Sequence, residues 1–336
     1  MKEAMFYEKI GDQKVKCYLC PHKCKISSGK RGICGVRENR EGTLYTLVYG
    51  KVISWAVDPI EKKPLYHFYP GKNAFSIATV GCNFHCLHCQ NYNISQFPIE
   101  KEDIPGENIS PKEIINLAKQ RKTKIIAYTY TEPTIFFEYA YDICRLAKKE
   151  GIKNIFVTNG YIEEKPLRKI APYMDAANVD LKSMREKFYH RVCGAHLKPV
   201  LETLRLIKEL GIWVEVTTLI IPTLNDSKEE QKEIANFIVT LGKETPWHIS
   251  RFHPAYRLTD LPPTPVKTLD QARRIGMEAE LKYVYIGNIP VNEGENTYCP
   301  NCGKIIINRS GYWIEKIKIK DRHCKYCGFS IDGVGI

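Results

Sequence analysis

No apolar run in this 336-residue chain approaches the length a membrane-spanning helix requires. The opening segment, MKEAMFYEKIGDQK, holds no apolar stretch and no cleavage-site pattern, so a secretory leader is not expected. The cysteines exclude a further class. Thirteen of them would suffice for a disulfide scaffold, but they are not spread along the chain. Eleven fall into three local groups with metal-ligand spacing, which fits a reducing cytosol and predicts a cytoplasmic protein. The two outside those groups are Cys144 and Cys193. Cys144 lies in a predicted helix and reads as a buried small hydrophobe. Cys193 is read the same way, with a reactive thiol as the alternative.

What is present is the composition of a soluble globular protein, 43% hydrophobic and 26% charged, long enough for one large domain with small appendages. The formal charge of +12 overstates the basicity, since it omits metal-bound thiolates. With two zinc sites of four cysteines and one iron–sulfur cluster on three, it falls to roughly +7. Such a field is compatible with acidic or nucleic-acid partners and diagnostic of neither.

The chain is organised around Val80-Gly-Cys82-Asn-Phe-His-Cys86-Leu-His-Cys89-Gln-Asn91, in which three cysteines stand at C-x3-C-x2-C. The preceding run AFSIATV is apolar and β-prone, so the cysteines are expected on a loop leaving a strand, with Gly81 permitting a sharp turn. Three thiolates from one loop can hold three irons of a [4Fe–4S] cube and leave the fourth iron open to an exogenous ligand. The bland alternative is a metal staple, or one zinc completed by His85 or His88.

From residue 74 onward, strand-like runs alternate with helix-like ones. Strands are predicted over 74–80, 124–130, 154–158, 176–180, 213–220, 247–252 and 283–286, and helices over 111–120, 134–150, 164–171, 199–210, 228–241 and 268–281. Ser110-Pro111 and Thr134 supply helix starts, and Gly151 and Gly211 supply stops. This alternation predicts an α/β fold with a parallel sheet, and its unit count fits an incomplete TIM-like (β/α)6 barrel. Functional side chains then belong at the C-terminal ends of the strands. Those ends carry Glu132, Thr158-Asn159-Gly160, Asp180 with Lys182, the turn Ile220–Asp226, His253, and Ile286–Pro290. A first-turn acid for Glu132, a turn pair for Asn159-Gly160 and a surface ion pair for Asp180 and Lys182 are the ordinary readings beside the functional ones.

Two further cysteine groups flank this region. Cys17, Cys20, Cys24 and Cys34 follow C-x2-C-x3-C-x9-C, and a structural zinc is expected to close a segment too short for its own core. A second iron–sulfur cluster is the alternative. Cys299, Cys302, Cys324 and Cys327 follow C-x2-C-x21-C-x2-C, close to a zinc ribbon, and predict a second zinc or one iron. Residues 43–57 read as two strands of a hairpin turning near Gly50-Lys51, and the segment Pro59–Gly71 reads as a connector. The predicted division is a four-cysteine module with hairpin and linker over 1–73, the barrel over 74–290 and a ribbon-like module over 291–336.

At the C-x3-C-x2-C loop the chain resembles the radical S-adenosylmethionine (SAM) superfamily, with His88 where an aromatic residue commonly precedes the last cysteine. Across nearly its whole length it resembles the radical SAM branch of the AmmeMemoRadiSam system, related to pyruvate formate-lyase activating enzyme. The stretches that carry this are Cys-x-x-Cys-Pro-His-Lys-Cys, the Pro59–Gly71 block, Gly-Cys-Asn-Phe-x-Cys-x-x-Cys-Gln-Asn and Tyr-Thr-Glu-Pro-Thr. The resemblance implies a [4Fe–4S] cluster on Cys82, Cys86 and Cys89, with SAM on the open iron. It implies SAM contacts from Glu132, Thr158, Asn159, Asp180 and Lys182, to which His253 is added from its strand-end position. The superfamily often has Gly-Gly-Glu where this chain has Tyr130-Thr131-Glu132, so the backbone contacts there depart from the pattern. The implied chemistry is reductive cleavage of SAM to a 5′-deoxyadenosyl radical that abstracts hydrogen from a protein or peptide, as in glycyl-radical activases. Implied partners are a reductant such as ferredoxin or flavodoxin, and Memo-like and AMME-type proteins. An RNA-modifying enzyme and a non-catalytic iron–sulfur carrier are the alternatives.

Overall fold

Each predicted strand–helix pair folds as its periodicity dictates. The computed structural model describes residues 1–96, 103–290 and 293–336. Eight strands form one sheet: β1 (Ser54–Pro59), β2 (Asn73–Ala78), β3 (Ile125–Tyr128), β4 (Lys153–Thr158), β5 (Ala176–Asp180), β6 (Trp213–Ile220), β7 (Trp247–Arg251) and β8 (Val284–Gly287). They lie side by side in sequence order. The seven from β2 to β8 pair in parallel, and β1 joins the edge of β2 antiparallel. β1 and β8 stand at opposite ends of the order, so the sheet does not close through strand pairing among the described residues.

The crossovers carry helices α1 (Pro111–Gln120), α2 (Phe137–Lys149), α3 (Glu164–Ile170), α4 (Leu197–Glu209), α5 (Lys228–Leu241) and α6 (Val266–Glu278). α1 starts where the sequence signals it. Ser110 and Glu113 form a reciprocal capping box, and Pro111 sits at the first helical position, where its missing N–H costs nothing. Strands covered by helices read as nearly continuous apolar runs, and β3 and β5 are buried along most of their length.

Two local expectations are overturned. Residues 43–57 form no hairpin. Thr43–Thr46 pairs with Arg37–Arg40 and with Lys2–Glu3, whereas β1 takes the open edge of β2. Gly50 does turn the chain, with φ +76°, but the two runs diverge because a six-residue edge on the large sheet offers β1 a longer ladder. The start of α2 also differs from the Thr134 signal. A 3-10 turn over Pro133–Phe136 precedes it, and the side chain capping that turn belongs to Glu132.

The connector packs rather than loops. Leu65, His67 and Phe68 are fully buried, and the Glu215 carboxylate on β6 holds it in place. Glu215 accepts hydrogen bonds from the backbone N–H groups of Tyr66 (2.9 Å) and His67 (2.8 Å), and from the Trp213 indole (3.0 Å). The C-terminal residues close over the same connector. Arg309 donates to the Tyr66 carbonyl at 3.0 Å, and Phe68 bridges Val334. The expected boundary between residues 290 and 291 adjoins residues outside the described ones.

Candidate active site

The three loop cysteines leave the C-terminal end of β2, as the β-prone run before them requires. Gly81 makes the departure possible. Its φ is +97°, and a Cβ there would lie 2.7 Å from Val36 Cγ1 and 2.8 Å from the Cys34 carbonyl oxygen. Beyond it, the Phe84 N–H points at Cys82 Sγ (3.3 Å), and Ser95 Oγ lies 3.1 Å from Cys89 Sγ. The segment before α4 supports the loop from the other side, with His85 N–H bonded to the Cys193 carbonyl and Leu87 N–H to that of Val192. Cys193 therefore backs the loop. Its thiol hydrogen bond is the main cause that lowers Cys86, while burial opposes it and Lys182 assists.

Strand ends β3 to β5 bring the charged residues around the thiols. Glu132 is buried and serves as an assembly point. Its Oε1 accepts from Thr134 N–H (3.0 Å), Thr134 Oγ1 (2.6 Å) and Thr158 Oγ1 (2.7 Å), and its Oε2 accepts from Asn159 N–H (2.8 Å). Burial raises its carboxyl pKa, and these hydrogen bonds work against that rise. A carboxylate offers about four acceptor positions, so Glu132 keeps little beyond a lone pair on Oε2. The capping reading and the site reading thus describe one side chain. Asn159 extends the network, donating to Asn83 Oδ1 at 2.8 Å. At β5, Lys182 pairs with Asp180 at 2.7 Å. Burial works to lower this lysine, but Asp180 and the thiols of Cys86 and Cys193 outweigh it and hold Lys182 well above its ordinary value.

The Tyr130-Thr131 pair has a conformational explanation. Tyr130 takes φ +64°, the left-handed region that glycine enters freely. Its ring lies 4.3 Å from Lys63 Nζ, and its hydroxyl bonds to Asp58. Asp58 also pairs with Lys62 (2.8 Å) and Lys63 (2.6 Å) and accepts from Ser76 (2.8 Å). Although burial pushes its carboxyl up, these partners hold it far below the usual carboxylate range. The tyrosine thus keeps a glycine-like backbone and ties it to the connector.

A cleft of about 530 Å³ opens over these residues. Cys82, Cys86, Cys89, Glu132, Thr158, Asn159, Asp180 and Lys182 all line it, together with Lys62 and Lys63 of the connector. His253 is not brought in; it stands half-buried beside the Asn288 carbonyl, 3.3 Å away. The Ile220–Asp226 turn is also outside the lining. Asn225 there braces the site from behind, donating to the carbonyls of Lys182 and Leu219. A second cleft of about 510 Å³ adjoins the first along Lys62, Gln90, Thr217, Ser250, Asn288 and Tyr312, and reaches Glu61, His248 and Tyr285. Asn83, Tyr130, Asp58 and Cys193 were not singled out from sequence as parts of the site. Only the Asn91-containing loop motif and the strand-end position of Tyr130 hinted at them.

The flanking cysteine groups differ in geometry. In the C-terminal module, Cys299 and Cys327 sulfurs are 3.6 Å apart and those of Cys302 and Cys324 are 3.9 Å apart, with all four within 4.8 Å of one another. Cys17, Cys20, Cys24 and Cys34 instead line a small pocket beside Arg37 and Thr134.

The sequence profile of the radical SAM superfamily matches residues 76–238. The chain belongs to the radical SAM superfamily. An uncharacterized protein of Methanocaldococcus jannaschii is 52% identical over 335 residues, covering 99% of both chains. The pyruvate formate-lyase-activating enzyme of Clostridium pasteurianum is 23% identical over 219 residues, covering 60% of this chain and 87% of its own. In structure, a radical SAM methyltransferase from Sphaerobacter thermophilus superposes with a TM-score of 0.51 at 14% identity, over 66% of this chain and 68% of that one, a likeness of fold. This radical SAM protein is an enzyme related to the activating enzymes, and membership implies a [4Fe–4S] cluster and SAM. The donor set fits both groups. Three thiols converge from one loop on a cleft that also holds a carboxylate with a spare lone pair and a cationic lysine. Activases of the superfamily need a reductant such as flavodoxin. Among the described residues, no helix is long and apolar enough to cross a membrane.

Proposed function

We propose that the protein is a radical SAM enzyme of the activating-enzyme kind. Cys82, Cys86 and Cys89 would hold the cluster, and Glu132, Thr158, Asn159, Asp180 and Lys182 would hold SAM. The observation that carries this reading is the convergence of all eight residues on one cleft. When bound, the two groups supply reductive cleavage of SAM to methionine and a hydrogen-abstracting 5′-deoxyadenosyl radical.

The chain's own residues position and enclose. The spare lone pair of Glu132 Oε2 is an acceptor for the SAM ammonium, held in place by Thr134, Thr158 and Asn159. Lys182 offers a cation for the carboxylate side, fixed by Asp180. His88 is buried, and its Nδ1 lacks a partner. With its pKa pushed down to about 3, mainly by burial and further by Lys182, it stays neutral and adds no charge beside the thiols. His253 receives no role, because it is not among the residues that line the cleft.

The substrate is proposed to be a protein or peptide segment, with glycyl-radical installation as the specific outcome. The adjoining cleft supports this, since it extends the first towards Tyr312 of the C-terminal module, next to an exposed Trp313. Ferredoxin or flavodoxin is the proposed reductant, and Memo-like and AMME-type proteins are the proposed partners. The C-terminal four-cysteine site is assigned zinc. A Zn–S bond of about 2.3 Å in a tetrahedron sets sulfurs about 3.8 Å apart, and the observed 3.6 and 3.9 Å bracket it.

Anaerobic reconstitution with iron and sulfide, followed by reduction and addition of SAM, tests the reading. Wild type is expected to release 5′-deoxyadenosine and the Cys86→Ala variant none. Absence of product from a wild type with an intact cluster would overturn it.

A further inference from the structure

The C-terminal module ends its sheet on an open strand. Thr297–Tyr298, Ile305–Ser310 and Trp313–Ile317 lie side by side in that order, so Trp313–Ile317 is an edge. Its inner side pairs with Ile305–Ser310. Among the described residues, no backbone-to-backbone hydrogen bond meets its outer side. An edge left in this way presents unpaired N–H and C=O groups, which folded proteins usually shield. This one is bare. Of its five residues only Ile314 is not exposed, and Trp313 is 71% and Ile317 42% exposed. A Cβ at Gly71 would lie 3.3 Å from Ile314 Cδ1, so that side chain seats the strand on the connector.

The edge also leads to the site. The turn that opens it, Gly311-Tyr312, lines the second cleft, and Tyr312 lines the first as well. Gly311 N–H is fixed to Glu295 at 3.0 Å. Strand residues rise about 3.3 Å each, so a segment laid along this edge extends about 17 Å and, continued past Trp313, reaches the residue both clefts share.

Charge selects the occupant. Lys316 lies on the strand, Lys318 and Lys320 continue it, and Arg322 and Lys325 follow in the chain. Two acids interrupt this run, Glu315 and Asp321, and Glu315 is bonded to Asn308. Like charges opposed across a ladder repel, so the edge disfavours a second copy of itself and favours a strand that carries carboxylates. A row of unpaired amides and carbonyls matches a polypeptide, whereas a nucleic acid has no such ladder to offer.

We propose that Trp313–Ile317 is a docking edge for an extended, acidic segment of the substrate protein, which adds to this sheet as a further strand and is led past Tyr312 to the cleft. The inference rests on the reading of the substrate as a protein or peptide. Main-chain hydrogen bonds supply affinity, and Lys316 with its basic neighbours selects for acidic side chains.

Fluorescence anisotropy and amide hydrogen exchange of the reconstituted full-length protein test it, with a labelled peptide of alternating valine and glutamate as probe. This peptide is expected to bind at least about tenfold more tightly than its valine–lysine counterpart, and to slow exchange at residues 313–317. The same acidic peptide N-methylated at every residue keeps its charge but has no N–H to donate, and is expected to lose binding about tenfold or more. No binding below about 1 mM, a methylated peptide within about twofold, or no protection at 313–317 overturns the proposal. So does a uridine oligonucleotide that displaces the peptide and protects the same residues, or self-association that protects them without peptide. Release of 5′-deoxyadenosine is measured on the same preparation. Product without peptide binding overturns the docking edge alone, and binding without product overturns the activating-enzyme reading while the edge stands.

Discussion

Replacing Glu132 by glutamine changes one atom and tests whether this carboxylate organises the site. Two of its four partners, the N–H groups of Thr134 and Asn159, can only donate, whereas the two threonine hydroxyls can rotate to accept. If the new amide nitrogen takes the place of Oε2, it faces the Asn159 N–H. If it takes the place of Oε1, it faces the Thr134 N–H. Either orientation leaves one buried backbone N–H unpaired, at about 1–3 kcal/mol. The remaining bonds weaken as the acceptor loses its charge, and relief of the carboxylate's burial cost offsets part of that. The expected net loss is about 2–4 kcal/mol. Differential scanning fluorimetry should register a lower melting temperature by about 3–6 °C for a chain of this size. Loss of the charged contact to the SAM ammonium should weaken its Kd about 10- to 100-fold, measured by equilibrium dialysis of the reconstituted protein. A variant that melts within about 1 °C of wild type and binds SAM within about twofold would refute both roles.

Gly81→Ala is expected to cost about 2–4 kcal/mol, combining the positive-φ penalty with overpacking against Val36 and the Cys34 carbonyl. Val36→Ala should rescue it only in part, because the carbonyl remains, and a double-mutant cycle in urea checks this. Tyr130→Phe removes the hydroxyl bond to Asp58 and should destabilise by about 1–2 kcal/mol, whereas Tyr130→Gly should recover backbone strain but lose the ring over Lys63. Fully buried His67 is held near pKa 4, mainly by burial, against an ordinary 6.5. As pH falls below 6.5 the unfolded chain takes the proton first, so stability present above 6.5 declines towards pH 4. At pH 5 the loss is about 2 kcal/mol, and His67→Asn should flatten that slope in urea titrations. Chelation of the zinc proposed for the C-terminal site should open residues 299–327 to protease, because the module's apolar core is small, while far-UV helicity from α1–α6 persists.

The elements that sequence periodicity located are those whose pattern is set locally. The α5 run Lys228–Leu241 and the β6 run Trp213–Ile220 lie where their apolar periods place them, since each must bury one face whatever its neighbours are. The misread hairpin at 43–57 shows the limit. Both runs are genuine strands, but their partners lie elsewhere, and pairing is decided by which sheet edge is available. The candidate site divides in the same way. Cys82, Cys86, Cys89, Asp180 and Lys182 are marked by spacing and by strand-end position. Tyr130 at positive φ, Asn83 under Asn159, and Cys193 against Cys86 become meaningful only when segments far apart in sequence meet. Glu132 is legible in the sequence as a cap or as a site residue, but not as one side chain that both caps the Pro133–Phe136 turn and lines the cleft, because the two look identical in one dimension.

The contact between Gly81 and Cys34 makes two cysteine groups share a single thickness of backbone. One residue before the first cluster cysteine, the chain has no slack into which it could retreat. A shift of the backbone at Cys34 would therefore press on the residue that precedes Cys82. The N-terminal module is less an appendage than the back wall of the cysteine loop.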